Sequence, residues 1–299
     1  MAATASSVVP LEVLARMGDL ALMARLAVEG YLVGRHRSLR RGYGGEFVQY
    51  RPYVPGDDAR YVDWKLFARQ ERLCMKSFNE ETDMRVALVV DASASMAYAG
   101  RSAPCSKARY AVMAAACLAY LARRQGDQAG LFVYGGEEGG ARRLQAENAE
   151  WSLSRLLGTL SMVKPGGASH LESVLPQVED FVVGRGVTVI LSDFHNEEQG
   201  LESRLKHLRH GRSDVMAIQI LDDDELKLPF GEGVRFVDAE DGREVDASSD
   251  IIRKEYREGF DAFCESVREA TLNSQADYLR IVTSMELGEV LSAFLSMRR

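Results

Sequence analysis

The chain has 299 residues, of which 46% are hydrophobic and 27% charged, a composition typical of a soluble globular protein with room for one large and one smaller domain. Its formal net charge of −7 provides no basic surplus to neutralise phosphates, which argues against nucleic-acid binding. The four cysteines form no Cys-x-x-Cys pair and no signal peptide is evident at the N-terminus, so we expect a reduced, cytoplasmic setting.

The first predicted element is an amphipathic helix over residues 11–33. Apolar side chains recur there at intervals of three and four, as at Leu11 and Leu14. Charged residues such as Asp19 and Arg25 interrupt the segment, which a membrane-spanning helix would hardly tolerate. Residues 1–33 are therefore expected to dock on a core, without direct membrane insertion.

Residues 34–82 are predicted to form a small β-rich module. Two short stretches with aromatic and alternating character, 46–53 and 73–78, indicate strands. The turn sequence Pro55-Gly56-Asp57-Asp58 lies between them, followed by a short helix that ends near Arg69.

From residue 83 to residue 299, apolar strands alternate with long helical patterns. This texture predicts an α/β fold, Rossmann-like, with a mostly parallel sheet and helices on both faces. The strand candidates are Arg85–Val90, Ala129–Tyr134, Val187–Leu191, Val215–Ile220 and Tyr278–Val282. The helix candidates are 105–125, 149–160, 170–183, 197–210, 251–274 and 284–297. Strand-like segments on either side of Asp241-Gly242, Val234–Val237 and Arg243–Val245, add a β-hairpin excursion at about 222–246.

The strand at 85–90 runs directly into Asp91-Ala-Ser93-Ala-Ser95. Ligands of open α/β sheets bind beyond the carboxyl ends of the strands, so these oxygens are placed to converge. Carboxylate and hydroxyl oxygens favour Mg²⁺, Mn²⁺ or Ca²⁺. In an extended loop the hydroxyls of Ser93 and Ser95 would reach the same side, while Asp91 would bind through water or hydrogen-bond the seryl ligands.

Two further loops are expected to complete the site. Ser169 precedes a predicted helix and is a candidate both for its N-cap and for a third hydroxyl ligand. Asp193 follows the strand at 187–191 and would lie beside Asp91. The sequence thus predicts a five-residue site with an open position for a partner's carboxylate. The alternative is that these Asp and Ser residues only cap the helices that follow.

A metal-dependent hydrolase or phosphatase is the alternative function. A phosphotransfer enzyme with Asp91 as nucleophile would usually need a second carboxylate two residues on, where this chain has Ser93. The chain has no nucleophile elbow or phosphate-binding glycine motif at a strand end. His170 and His195 adjoin the predicted loops but are expected to be exposed rather than catalytic. We therefore predict a binding protein and not an enzyme.

Two blocks of the N-terminal region carry a family resemblance: Gly42-Tyr-Gly-Gly-Glu46-Phe47 and Arg51-Pro-Tyr53-Val-Pro55-Gly56-Asp57-Asp58-Ala-Arg60-Tyr-Val-Asp63-Trp64. They resemble the signature of the bacterial domain-of-unknown-function family fifty-eight. The core resembles the von Willebrand factor A domain, whose metal ion-dependent adhesion site has this Asp-x-Ser-x-Ser, a threonine in the second loop and an aspartate in the third. Ser169 stands in place of that threonine.

The resemblance implies a partner or adaptor of a MoxR-type AAA+ ATPase that helps to assemble or mature client complexes. A client protein would dock through an acidic residue on the metal. Many relatives carry two N-terminal transmembrane helices, which we do not expect here. The closely spaced charges between Arg51 and Arg69 either fix the small module against the main domain or form a docking face for a partner.

Overall fold

The computed structural model describes residues 9–36, 49–52, 66–67, 74–77, 84–136, 142–144, 149–182, 186–195, 200–210, 213–230, 234–239, 242–247 and 249–297. Its α-helices are α1 (Leu11–Arg16), α2 (Leu20–His36), α3 (Lys107–Arg124), α4 (Ala149–Ser161), α5 (Leu175–Phe181), α6 (Leu201–His210), α7 (Asp223–Lys227), α8 (Ser249–Asn273) and α9 (Leu287–Met297). Its strands are β1 (Gln49–Pro52), β2 (Cys74–Ser77), β3 (Arg85–Ala92), β4 (Gln128–Gly135), β5 (Arg142–Leu144), β6 (Gly186–Ser192), β7 (Ser213–Leu221), β8 (Val234–Val237), β9 (Glu244–Ala247) and β10 (Asp277–Val282).

The main sheet has the strand order β10-β7-β6-β3-β4-β5. Its first five strands are parallel, and β5 pairs antiparallel with β4 at one edge. If these six strands are renumbered 1 to 6 in chain order, their order across the sheet from β5 to β10 is 3-2-1-4-5-6. This is the order of the doubly wound Rossmann-type fold. The predicted α/β, Rossmann-like fold class with a mostly parallel sheet is thereby confirmed, although the short edge strand β5 was not predicted.

The two faces of the sheet bury alternate residues of the same strands. On β3, Val86, Leu88 and Val90 pack into a core with α1, α2, α3, α4 and α9. Ala87 and Val89 point to the opposite core, which α5, α6 and α8 cover. Side chains of a strand alternate between its faces, so a strand covered on both sides reads as one continuous apolar run. This explains why the strand candidates could be recognised from the sequence.

The N-terminal segment forms two helices instead of the single helix predicted over 11–33. Helix α1 ends at Arg16, and α2 begins at Leu20 after a break. The carboxylate of Asp19 accepts hydrogen bonds from the backbone N–H groups of Ala21, at 2.9 Å, and Leu22, at 3.0 Å. Such a capping aspartate satisfies N–H groups that the first turn of a helix leaves unpaired, so it favours the start of a new helix after residue 19. Within the described residues, no helix combines the length and apolar composition needed to cross a membrane.

The predicted hairpin is present. Strands β8 and β9 pair antiparallel, and β9 begins one residue later than the predicted segment at 243–245. The two strands predicted over 46–53 and 73–78 contain β1 and β2, which also pair antiparallel. The predicted turn at Pro55–Asp58 and most of the short helix that should end near Arg69 lie outside the described residues. The helix predicted over 170–183 is a 3-10 turn, Leu171–Ser173, followed by α5.

Candidate metal centre

Strands β3 and β6 lie side by side at the centre of the sheet. Val90 pairs with Leu191, so Asp91 and Ser192 each stand one residue further along neighbouring strands. The chain after β3 continues into α3 on one face, and the chain after β6 continues into α6 on the other. Such a point, where the connections diverge, opens a crevice at the carboxyl ends of the strands, and ligands of this fold class bind there.

Asp91 is fully buried and held by neutral donors. Its Oδ1 accepts from the backbone N–H of Ser93 at 2.7 Å, and its Oδ2 accepts from the hydroxyls of Ser192 at 2.6 Å and Ser169 at 3.4 Å. Burial raises the pKa of the Asp91 carboxyl to about 7, and the negative charge of Asp193 adds to the rise. The hydrogen bonds oppose this shift but do not cancel it.

The two seryl hydroxyls of the Asp-x-Ser-x-Ser sequence meet, as predicted. The Oγ atoms of Ser93 and Ser95 are 3.1 Å apart. The prediction of an extended loop is wrong, however. Ala94–Ala97 form a 3-10 turn, and Ser93 is the extended residue before it. The turn is favoured because the backbone N–H of Met96 can then donate a hydrogen bond to the carbonyl of Ser93, at 3.2 Å.

The second loop is bound to the end of β3 through its backbone. The N–H of Gly166 donates to the carbonyl of Ala92 at 2.8 Å, and the N–H of Ala94 donates to the carbonyl of Gly167 at 2.9 Å. These bonds bring Ser169 to Asp91. Ser169 is not the predicted N-cap, because the 3-10 turn after it is preceded by His170. Its hydroxyl points to Asp91 instead.

Gly135, at the end of β4, explains how the chain can pass so close to this loop. Its φ is +74°, and a Cβ atom at this position would lie 2.7 Å from the backbone nitrogen of Ser93. Only glycine adopts that backbone conformation without strain and leaves the space free. A glycine is therefore required beside the first seryl residue of the site.

Asp193 is also buried, but in contrast to Asp91 it has a cationic partner. Its Oδ2 accepts from Nζ of Lys107 at 2.8 Å, and its Oδ1 accepts from the backbone N–H of His195 at 2.9 Å. Burial alone would raise the pKa of Asp193, but the charge of Lys107 and hydrogen bonds, including one from Ser95, hold it below its ordinary value. The residue between, Phe194, has a φ of 59°. Backbone strain of this kind often accompanies functional sites.

Lys107 makes a second contact. Its ammonium also reaches Oε1 of Glu225 on α7, at 2.5 Å. The Lys107 side chain is 2% exposed and that of Glu225 21%. Burial lowers the pKa of Lys107, but the two carboxylates outweigh it and the net shift is upward. The ammonium is therefore charged and shared by two acids.

A capping box holds Glu225 in place. Asp222 accepts from the backbone N–H of Asp224 at 3.0 Å, and Glu225 accepts from the N–H of Asp222 at 2.7 Å. Asp222 also accepts from the N–H of Gly100 at 3.1 Å, which binds the loop after the seryl turn to the end of β7. The capping box of α7 thus holds the carboxylate that Lys107 contacts.

Lys107, Ser192 and Glu225 are not among the predicted site residues. One signal for Lys107 exists in the sequence. It is the first residue of a helix that Ser106 caps by accepting from the N–H of Arg109 at 3.2 Å. The positive end of a helix dipole disfavours a lysine there, so a lysine at that place suggests nearby carboxylates. Ser192 precedes Asp193 directly, but nothing in its residue type predicts which atom it bonds.

The donor set suits a hard divalent cation. The described residues contain no group of three or more histidine, cysteine or acidic side chains placed to hold a metal, so a site here depends on hydroxyl oxygens. The 3.1 Å between Ser93 Oγ and Ser95 Oγ is close to the ~2.9 Å between adjacent ligands of an octahedral Mg²⁺ with arms of 2.0–2.1 Å. When ionised, Asp91, Asp193 and Glu225 carry two more unit charges than Lys107 neutralises.

The fold and the site together define a doubly wound α/β domain with carboxylate and hydroxyl oxygens gathered at its central crevice. The chain belongs to the family described as "Protein of unknown function DUF58", whose pattern matches residues 49–265. The chain is 28% identical over 291 residues to the uncharacterized protein Rv1480 of Mycobacterium tuberculosis, an alignment that covers 95% of this chain and 89% of the relative.

Two solved structures are similar at low sequence identity. BatB from Bacteroides thetaiotaomicron is 16% identical with a TM-score of 0.47, and the match covers 72% of this chain and 98% of BatB. The SpRpn10 VWA domain is 11% identical with a TM-score of 0.42, covering 70% of this chain and 93% of that domain.

Proposed function

We propose that this protein is a divalent-cation-dependent protein-binding module, with a metal ion-dependent adhesion site formed by Asp91, Ser93, Ser95, Ser169 and Asp193. The observation that carries the proposal is the difference between the two buried acids. Asp193 is paired with a lysine, whereas the described hydrogen-bond partners of Asp91 are all neutral. A cation beside Asp91 would supply the missing positive charge and offset the burial and the repulsion from Asp193 that raise its pKa.

Four of the five residues have a defined part in this proposal. Ser93 and Ser95 present their hydroxyls as a pair at 3.1 Å, and Ser169 approaches from the second loop. Asp91 orients the loops that carry Ser93 and Ser169, because it accepts bonds from both residues. Mg²⁺, or Mn²⁺ or Ca²⁺, would supply an electrophilic position that accepts a carboxylate of the partner. Neutral hydroxyl ligands leave more of the ion's charge for that carboxylate than protein carboxylates would.

The partner we propose is a MoxR-type AAA+ ATPase, together with a client protein that docks through an acidic residue. This part rests on the resemblance to relatives of the family to which the chain belongs. The chain's role would be that of an adaptor in the assembly or maturation of client complexes, in the cytoplasm.

We propose binding rather than catalysis because the candidate nucleophile is already engaged. Both oxygens of Asp91 accept hydrogen bonds, and Ser93 occupies the position two residues on, where a phosphotransferase would have its second acid. His170 and His195 flank the loops as exposed side chains. A hydrolase or phosphatase would instead show turnover of a phosphate or ester substrate that disappears in Asp91→Ala.

The test is a metal-dependent pull-down of the MoxR-type ATPase encoded in the same genome. We expect the wild type to recover the ATPase with Mg²⁺ and to lose it with a chelator. Ser95→Ala should fail to recover the ATPase in both conditions, because it lacks one of the proposed hydroxyl ligands. The Ser95 side chain is half-buried and lies outside the strands, so its removal should leave the fold intact. Ser161→Ala, which removes an exposed hydroxyl at the end of α4, is the matched control and should behave as wild type. Equal recovery of the ATPase by all three proteins, with or without chelator, would contradict the proposal.

A further inference from the structure

The ion pair between Lys107 and Asp193 lies inside the candidate site rather than beside it. Both side chains are almost completely buried, with 2% and 3% exposed. Asp193 is one of the five residues assigned to the cation, yet it already has a positive charge in contact. A buried lysine with a purely structural role would not need to contact a residue of the proposed metal site.

Both oxygens of Asp193 accept hydrogen bonds. Oδ1 accepts from the N–H of His195, Oδ2 accepts from the ammonium of Lys107, and the hydroxyl of Ser95 bonds the same carboxylate. A cation bound directly to Asp193 would lie close to the positive charge of Lys107, so the ammonium disfavours direct ligation. Its contact with Ser95 remains, which allows it to act on the site through that hydroxyl.

Glu225 shares the ammonium of Lys107. Its side chain is 21% exposed, and the capping box of α7 holds it in place. Glu225 thus draws part of the lysine's charge away from Asp193. Without the negative charge of Glu225, the full positive charge of Lys107 would act on Asp193 and on the site.

We propose that Lys107 is a positioning residue that sets the cation affinity of this site: it keeps Asp193 out of direct ligation and offsets one negative charge, so that the ion is held loosely and stays open to a partner's carboxylate. The inference rests on the proposed function, since it concerns the same cation. It predicts that removing Lys107 strengthens metal binding, which is the opposite of what damage to the structure would do.

Calorimetric titration of the full chain with Mg²⁺ and with Mn²⁺ tests this. We expect Lys107→Met to bind at least about tenfold more tightly than wild type, because a unit charge close to a divalent ion, even at an effective dielectric near 20, changes the affinity by that factor or more. Glu225→Gln should bind more weakly than wild type. The double variant Lys107→Met/Glu225→Gln, with the same net charge as wild type, should lie between the two single variants.

Lys206→Met is the matched control, because it removes the same charge from an exposed ion pair with Glu202 on α6. It should leave both affinities unchanged. If Lys107→Met does not fold, Glu225→Gln decides: weaker binding than wild type supports the inference, and unchanged or tighter binding overturns it. If the wild type binds metal and Lys107→Met binds it equally or more weakly, the inference is overturned but the proposed function is not. Absence of binding in every variant overturns the proposed function and the inference with it.

Discussion

The hydroxyl of Ser192 donates a hydrogen bond of 2.6 Å to Oδ2 of Asp91 and accepts one of 2.8 Å from the backbone N–H of Phe194. One side chain therefore joins the end of β3 to the turn that carries Asp193. Both bonds are buried, and Phe194 has a left-handed backbone, with a φ of 59°. The geometry of two of the three loops depends on this hydroxyl.

Ser192→Ala should therefore destabilise the protein. The substitution leaves the N–H of Phe194 buried without its acceptor and removes one donor from Asp91, so we expect a loss of ~1–3 kcal/mol in the free energy of unfolding. Chemical denaturation measures it. Ser266→Ala, an exposed serine whose hydroxyl bonds the carbonyl of Phe263, is the control and should change stability by less than ~0.5 kcal/mol. Equal effects of both substitutions would contradict the role given to Ser192.

Removal of Lys107 should also reduce stability, although it should tighten metal binding. Lys107→Met leaves Asp193 buried beside Glu225 without a cation, and breaking a buried pair in this way costs ~3–5 kcal/mol. Glu225→Gln should cost less, because Lys107 keeps its bond to Asp193. Denaturation in the presence of a chelator compares the two variants. A Lys107→Met variant as stable as wild type would show that the ion pair contributes little.

Gly135 and Gly126 provide a matched pair of substitutions. Both have a positive φ, +74° and +83°, but a Cβ at Gly126 meets nothing within 4 Å, whereas at Gly135 it meets the nitrogen of Ser93 at 2.7 Å. Gly126→Ala should cost only the left-handed backbone strain of ~1–2 kcal/mol. Gly135→Ala should cost about 3 kcal/mol or more, because the clash adds to the strain, and should weaken Mg²⁺ binding.

Unfolding and titration of both glycine variants measure these effects. Weakened metal binding by Gly126→Ala, or unchanged binding by Gly135→Ala, would show that the approach of β4 to Ser93 does not shape the site.

The contribution of Asp91 to the stability of the metal-free protein should fall as the pH rises. The pKa of Asp91 is about 7 in the folded state against an ordinary 3.8, so the folded state holds a proton that the unfolded state releases. The stabilisation is complete below the lower pKa and is lost as the pH rises through the upper one. Asp193 has the opposite shift, so its contribution is already complete above its ordinary pKa and adds no slope in this window.

Denaturation with a chelator between about pH 5 and about pH 8 tests this dependence. Asp91→Asn, which cannot ionise at this position, is the reference, because the two proteins differ in this one side chain. We expect the stability of the wild type to fall relative to Asp91→Asn, and saturating Mg²⁺ to reduce that fall. Parallel pH profiles of the two proteins would contradict the prediction.

Much of the α/β core could be predicted because its signal is local. Four of the five parallel strands, all but the edge strand β10, are largely buried, so each is a nearly continuous apolar run that ends in a polar loop. The sheet order then places Asp91 and Asp193 at neighbouring strand ends. The break at Asp19 and the edge strand β5 were missed, because a single capping residue and a three-residue strand are too short to alter a periodic pattern.

The sequence by itself determined the residue types of the site and their positions at the ends of strands, since both follow from patterns within a few residues. Only the tertiary structure decided which charges and hydroxyls meet. Lys107 and Asp193 are 86 residues apart, and Asp91 and Ser192 are 101 apart. Contacts at such separations depend on how strands and helices pack. The charge balance around Asp91, and with it the proposed affinity for a cation, is therefore a property of the fold.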